Sequence, residues 1–109
     1  MKELIQKALS AKRESKNCDF KGEFELAIPG AWCEIIKDIV AMANTGGGVI
    51  AVGLDNGGQP TGKDVSAILA LDSATIADQI HKYTGIHFAE IDVVEKTKGG
   101  NRVAIITVE

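Results

Sequence analysis

The residues whose types and spacing offer chemistry are Glu14, Asp19, Lys21, Asp55 and Asn56. Glu14 and Asp19 lie at the two ends of the stretch that leads into a short alternating segment, while Asp55 and Asn56 leave the continuous apolar run Val49 to Leu54. If those two segments pair as strands, their oxygen-bearing side chains come together. Carboxylate and amide oxygens suit hard cations such as Mg²⁺ or Mn²⁺, and such an ion would orient a phosphate and stabilise charge during phosphodiester cleavage. Lys21 would hold the same anion as a point charge. The plainer reading, solvated carboxylates beside loops, is the one that spacing alone favours.

A second candidate is Asn44-Thr45-Gly46-Gly47-Gly48, because clustered backbone amides bind oxyanions. No Lys-Ser or Lys-Thr follows it, and its glycines precede an expected strand instead of opening a helix. Helix termination and close backbone packing account for the glycines more simply. His81 and His87 have no evident nucleophile beside them, so no catalytic triad is visible. Trp32 falls on an apolar helical stripe and reads as core; with aromatics at only 5%, base stacking across a sheet is not expected. Cys18 and Cys33 form no CxxC pair or Cys/His cluster, so buried thiols are expected in place of zinc or a disulfide.

The charge is unevenly spread. Over the whole chain 12 Lys plus Arg meet 15 Asp plus Glu, a net charge of −3, which excludes a globally basic nucleic-acid coat. Yet residues 1–22 hold Lys2, Lys7, Lys12, Arg13, Lys16 and Lys21 against Glu3, Glu14 and Asp19, a local excess of +3. That segment is either an anion-facing edge or a solvated helix face.

These residues need elements to position them. Leu4, Ile5, Ala8 and Leu9 make one stripe of a helix over about residues 2–12, and Asn17 to Lys21 alternates as a strand with Asp19 and Lys21 on one face. Trp32, Ile35, Ile36, Ile39, Val40 and Ala43 define an amphipathic helix over about 31–44, with Pro29 before it and glycines after it. The β-branched run 49–54 reads as a strand buried on both faces at the centre of the sheet, followed by the turn residues Asp55 to Gly58. Helical structure follows over about 64–84, with a break near Asp72-Ser73, where a fresh cap is available, and a stop at Gly85. Strands at 88–95 and 102–108 flank the hairpin loop Lys98 to Asn101. The 109 residues make one small domain of α+β class, a mixed sheet with packed helices that ends in a β-hairpin. The longest uncharged run, Ile39 to Leu54, is 16 residues and interrupted by polar residues and glycine, so no membrane span is expected and the chain reads as cytoplasmic.

Two stretches resemble the Schlafen AlbA-2 family. Glu14-Ser15-Lys16-Asn17-Cys18-Asp19-Phe20-Lys21 is similar to its ES…EFK opening. Ile39 to Asp55, which reads IVAMANTGGGVIAVGLD, is similar to its AFANT-GGG-(apolar)-IGVD centre, and Gly57, Gly58 and Gly62 continue the family's turn. The resemblance implies a nucleic-acid-binding domain. In bacteria and archaea it often begins longer transcriptional regulators, some of them helicase-related or ATP-binding. In animal Schlafens a related module is a metal-dependent endoribonuclease acting on structured RNA such as transfer RNA through three acidic residues. The first of these matches Glu14 and the second matches Asp19, a shorter carboxylate than the family's Glu. The third falls on Asn56, an uncharged residue, with Asp55 as the possible substitute.

Three functions are therefore expected from the sequence. The first is a module that engages DNA or RNA backbone through Lys12, Arg13, Lys16 and Lys21, with a homodimer doubling that basic edge. The second is a Mg²⁺- or Mn²⁺-dependent endoribonuclease with Glu14, Asp19 and Asp55 or Asn56 as ligands and Lys21 on the phosphate. The third is an ATP-binding or protein-interaction domain, for which the glycine run is the only feature. The chain ends directly after an expected strand, as an N-terminal domain trimmed from a longer protein would.

Overall fold

The computed structural model of the chain describes residues 1–88 and 90–109. Its core is built on one apolar strand. In β2 (Gly48–Val52) every residue is buried, with Val49 and Ala51 facing one side and Ile50 and Val52 the other. A strand apolar on both faces needs a layer on each. Helix α1 (Lys2–Ser10) supplies the first, inserting Ile5 and Ala8 over Val49, Ala51, Val103 and Ile105. Helices α2 (Pro29–Ala43), α3 (Ser66–Leu69) and α4 (Ser73–Thr84) supply the second, with Trp32, Ile35, Ile39, Ile68, Ile76 and Ile80 against Ile50, Val52, Ala104 and Ile106.

The sheet has four strands in the order β1-β2-β4-β3. Strand β1 (Cys18–Lys21) runs parallel to β2, a geometry that requires the crossover through α2. Strand β4 (Asn101–Val108) is antiparallel both to β2 and to β3 (Ile91–Lys98), so the sheet is mixed and the fold is α+β, closing on a hairpin. No helix among the described residues is long and apolar enough to cross a membrane.

Most boundaries fall near their expected places, and the departures have physical causes. The expected break in the helical stretch 64–84 is found where the cap was anticipated: the Asp72 carboxylate accepts a hydrogen bond from the Thr75 amide at 2.8 Å and starts α4 afresh. Gly85, at φ +74, ends it. Helix α1 stops at Ser10, two residues early, when Ala11 turns to extended backbone. In the hairpin, Lys98 pairs with Asn101, so the loop shrinks to Gly99 and Gly100. Both have positive φ, as a tight turn matched to strand twist requires. The expected strand at 88–95 is realised from Ile91 onward; Ala89 lies outside the described residues.

The glycine run between α2 and β2 ends the helix and lets backbones approach. Gly47 (φ +98) donates its amide to the Met42 carbonyl at 2.8 Å, and a Cβ there would stand 2.6 Å from the Val108 carbonyl oxygen. A Cβ on Gly46 (φ +93) would meet nothing within 4 Å. Gly46→Ala should therefore cost only the strain of its conformation, about 1–2 kcal/mol. Gly47→Ala adds a backbone collision and should cost about 3 kcal/mol. Urea unfolding of the two variants checks this; equal losses would contradict the packing account.

Candidate functional site

The segment after α1 folds back along the outer edge of β1. Ser15 exchanges backbone hydrogen bonds with Cys18 at 2.9 and 3.2 Å, and the Phe20 amide donates to Glu14 Oε1 at 2.9 Å. An edge strand leaves a row of N–H groups without partners, and here Glu14 satisfies one of them. The residue that heads the acidic set thus closes the sheet edge with one of its two oxygens.

Asp19 and Lys21 project from the opposite face to Cys18 and Phe20, toward α2. Lys21 Nζ lies 3.2 Å from Asp19 Oδ2 and 2.6 Å from Asp38 Oδ2, and Asp38 comes from α2. Both of those oxygens are withdrawn from water and accept no hydrogen bond of good geometry, so the ammonium neutralises them chiefly by charge. For Lys21, burial works against the charged form, but the close contact with Asp38 and the Asp19 charge outweigh it, and the pKa lies above the ordinary lysine value. For Asp19, burial comes first and a hydrogen bond with Glu14 second; together they outweigh Lys21 and raise its pKa above the usual carboxylate value. Asp19 therefore holds its proton more tightly than an ordinary carboxyl, even beside the Lys21 ammonium.

Asp55 and Asn56 are elsewhere. Strand β1 pairs with β2 only as far as Lys21 opposite Val52, and the chain leaves the sheet at Gly53 (φ +108). The Asp55 carboxylate turns onto its own loop, accepting the Gly57 amide at 2.9 Å and the Gln59 amide at 3.0 Å. Asn56 is exposed at the tip of that turn. Among the described residues no group of three or more His, Cys, Asp or Glu is placed to hold a metal ion. The pair Glu14 and Asp19 is brought together; the four-oxygen set is not.

At Asn44 to Gly48 the amides of Asn44, Thr45 and Gly47 are spent on carbonyls of α2, and the Thr45 hydroxyl donates to the Ala41 and Met42 carbonyls at 3.1 and 3.2 Å. Gly47 and Gly48 are buried. Trp32 is core: its indole donates to the Leu26 carbonyl at 2.9 Å and its ring meets Phe24 edge-on. Cys18 is buried, whereas Cys33, expected to be so, is exposed on α2.

The basic residues form a different surface. An open cleft of about 640 Å³ lies where α1 ends, lined by Lys7, Ser10, Ala11, Lys12, Arg13, Glu14 and Ser15. Lys12, Arg13 and Lys16 are exposed, and among the described residues none of them has an acidic partner within 4.0 Å. Lys7 is tied to Asn17 by a 3.3 Å hydrogen bond. The turn at Gly58 packs on the Ala11 carbonyl, and Lys98 Nζ donates to the Gly58 carbonyl at 2.7 Å, which brings a cation from the hairpin to the same end of the molecule. Neither Lys98 nor Asp38 is among the expected site residues, because only the packing of distant segments brings them in; the one available cue is that each sits on a polar face.

A single α+β domain with a cationic rim at one sheet end and a half-buried acid–lysine cluster between β1 and α2 is the class that this fold and site define. The family model described as Schlafen, AlbA_2 matches residues 14–109, and the chain belongs to that family. The chain is also similar in structure to the DIP2311 protein from Corynebacterium diphtheriae, with a TM-score of 0.62 and 24% identity over 97% of its own length; at that identity the likeness speaks for the fold alone. The chain spans 21% of that protein. No curated protein matches it.

The raised pKa of Asp19 has a signed consequence. The native state holds this proton more tightly than the unfolded chain, so its contribution to stability is lost as pH rises from the usual carboxylate value through the pKa of Asp19. Asp19→Asn keeps a donor for Glu14 but cannot ionise. Urea unfolding at a series of pH values should show that decline in the wild type and not in the variant; parallel profiles would contradict the raised pKa of Asp19.

Proposed function

We propose that the domain binds nucleic acid through the phosphate backbone, using Lys12 and Arg13, which line the cleft at the end of α1, and the exposed Lys16 that follows them in the chain. The observation that carries this reading is that these three cations have no acidic partner within reach among the described residues, while Lys21 is fully engaged by Asp19 and Asp38. Phosphates are the anions that a row of unpaired Lys and Arg attracts most strongly, and they are regularly spaced along any DNA or RNA strand. The Ser10 and Ser15 hydroxyls border the same cleft as further polar groups. The negative charge of the rest of the chain confines an approaching strand to this end. Membership of the Schlafen AlbA_2 family supports the reading, and on that reading the domain serves within a longer regulator-like protein. The two unpaired thiols fit a cytoplasmic setting.

Lys7 and its neighbours also complement the negative end of the α1 dipole, which accounts for one cation near that end but not for three further ones beyond the helix. Metal-dependent RNA cleavage is the second reading, favoured by the adjacency of Glu14 and Asp19. The oxygens present do not fit a hard dication: one of Glu14 is taken by the Phe20 amide, Asp19 faces an ammonium, and Asp55 is turned away. No step is therefore assigned to a metal.

The test is a titration of the domain with labelled duplex DNA and structured RNA over a range of salt, followed for binding and strand integrity. Affinity should fall steeply with salt, and replacing Lys12, Arg13 and Lys16 together by Ala should weaken binding to every sequence alike. The slope of log K on log salt should flatten by about 2–3, close to one per lost phosphate contact. Binding that is indifferent to salt or to the triple replacement would overturn the reading. Mn²⁺-dependent cleavage lost in Glu14→Ala would favour the ribonuclease instead.

A further inference from the structure

The two edges of the sheet are finished differently. The outer edge of β1 is closed by Ser15 and Glu14, but β3 is an eight-residue edge strand in unbroken register with β4 over its whole length. Because the hairpin closes on the pair Lys98 and Asn101, the even-numbered residues of β3 direct their N–H and C=O groups to β4 and the odd-numbered ones direct theirs outward. Two contacts agree with that phase: the Glu109 amide donates to the Glu90 carbonyl at 3.2 Å, and the Thr107 hydroxyl reaches the Asp92 carbonyl at 3.5 Å. On the outward side, the Val93 amide has, among the described residues, only the carboxylate of its own neighbour, Asp92, at 3.0 Å.

We infer that this edge pairs antiparallel with the same edge of a second copy, making one continuous eight-stranded sheet. The argument is charge complementarity along the strand. On the face toward α1 the side chains run Glu90, Asp92, Val94, Lys96 and Lys98, two acids, an apolar centre and two bases. Turned around and laid beside itself with Val94 opposite Val94, the strand sets Asp92 against Lys96 of the second copy twice, and brings Glu90 opposite Lys98, whose ammonium also serves the Gly58 carbonyl, twice. The outward backbone groups of Val93 and Glu95 then face each other, which is the phase that hydrogen bonding requires. These charged pairs fall at the sites without backbone hydrogen bonds, where cross-strand side chains come closest. A shift by two residues toward the hairpin puts Glu95 against Glu95, and the opposite shift sets Asp92 against Val94, so the favoured register is single.

Charges on an open edge also serve to keep strands apart. Repulsion alone would need one sign or any mixture; signs sorted to either side of a central valine attract a reversed copy. The two-fold axis of such a pair stands perpendicular to the sheet, so both α1 helices and both basic segments lie on one side of the assembly. This inference does not depend on nucleic-acid binding.

Sedimentation velocity over a range of concentrations tests it with Asp92→Lys, Lys96→Glu and the double exchange. The wild type should pass from monomer to dimer as concentration rises. Each single exchange creates two like-charge contacts per dimer and should weaken association about tenfold or more; the double exchange should restore it. Glu95→Pro removes an outward amide without touching the β4 ladder, and should be a folded monomer by circular dichroism. A wild type that stays monomeric at every concentration, or a dimer that ignores all four variants, would overturn the inference.

Discussion

The outer edge of β1 is the point on which the rest of this molecule depends. A four-residue strand paired on one side only is a weak element, and here it must hold a parallel register with the central strand β2. Two contacts secure it. Glu14 satisfies the Phe20 amide from outside, and Lys21 ties β1 to α2 by sitting between Asp19 and Asp38. Partly buried charges of this kind are tolerable only when paired, and removing one partner strands the others. The strand order, the seat of α2 and the path of residues 11–17 all follow from this closure.

The same closure sorts the charges. Acidic groups near the basic segment are engaged elsewhere: Asp19 and Asp38 take Lys21, and the exposed Glu14 spends one oxygen on the Phe20 amide. Lys12, Arg13 and Lys16 are left on an exposed stretch with no regular structure of their own, between the end of α1 and β1. A protein with a net charge of −3 thereby presents a cationic rim in one place. Nucleic-acid affinity depends on the local field at the contact and much less on total charge.

Much of this fold was legible in the residues. The β-branched run at 49–52 demanded layers on both faces, the spacing from Trp32 to Ala43 demanded a helix, and the glycines at 99 and 100 demanded a hairpin. Each follows from local stereochemistry. The break between α3 and α4 was readable from Asp72 because a cap is a local device. The site was legible only in part. Glu14 and Asp19 are close because a short loop joins them, which spacing anticipates. Asp55 was expected to join them because it follows the neighbouring strand, but a side chain that can cap its own turn has a nearer partner than one across the sheet. Asp38 and Lys98 could not be anticipated, since their roles arise from the packing of α2 and of the hairpin tip against distant segments.

The most direct measurement is amide mapping of the labelled domain by NMR during titration with a short nucleic-acid duplex at low salt, with reversal by added salt. The account predicts that shifts concentrate at residues 11–16, at the 55–58 turn packed against them and at Lys98, and that they return toward the free positions as salt rises. Shifts centred instead on the groove between α2 and α4, around Cys33, Val40 and Tyr83, or shifts unmoved by salt, would contradict it.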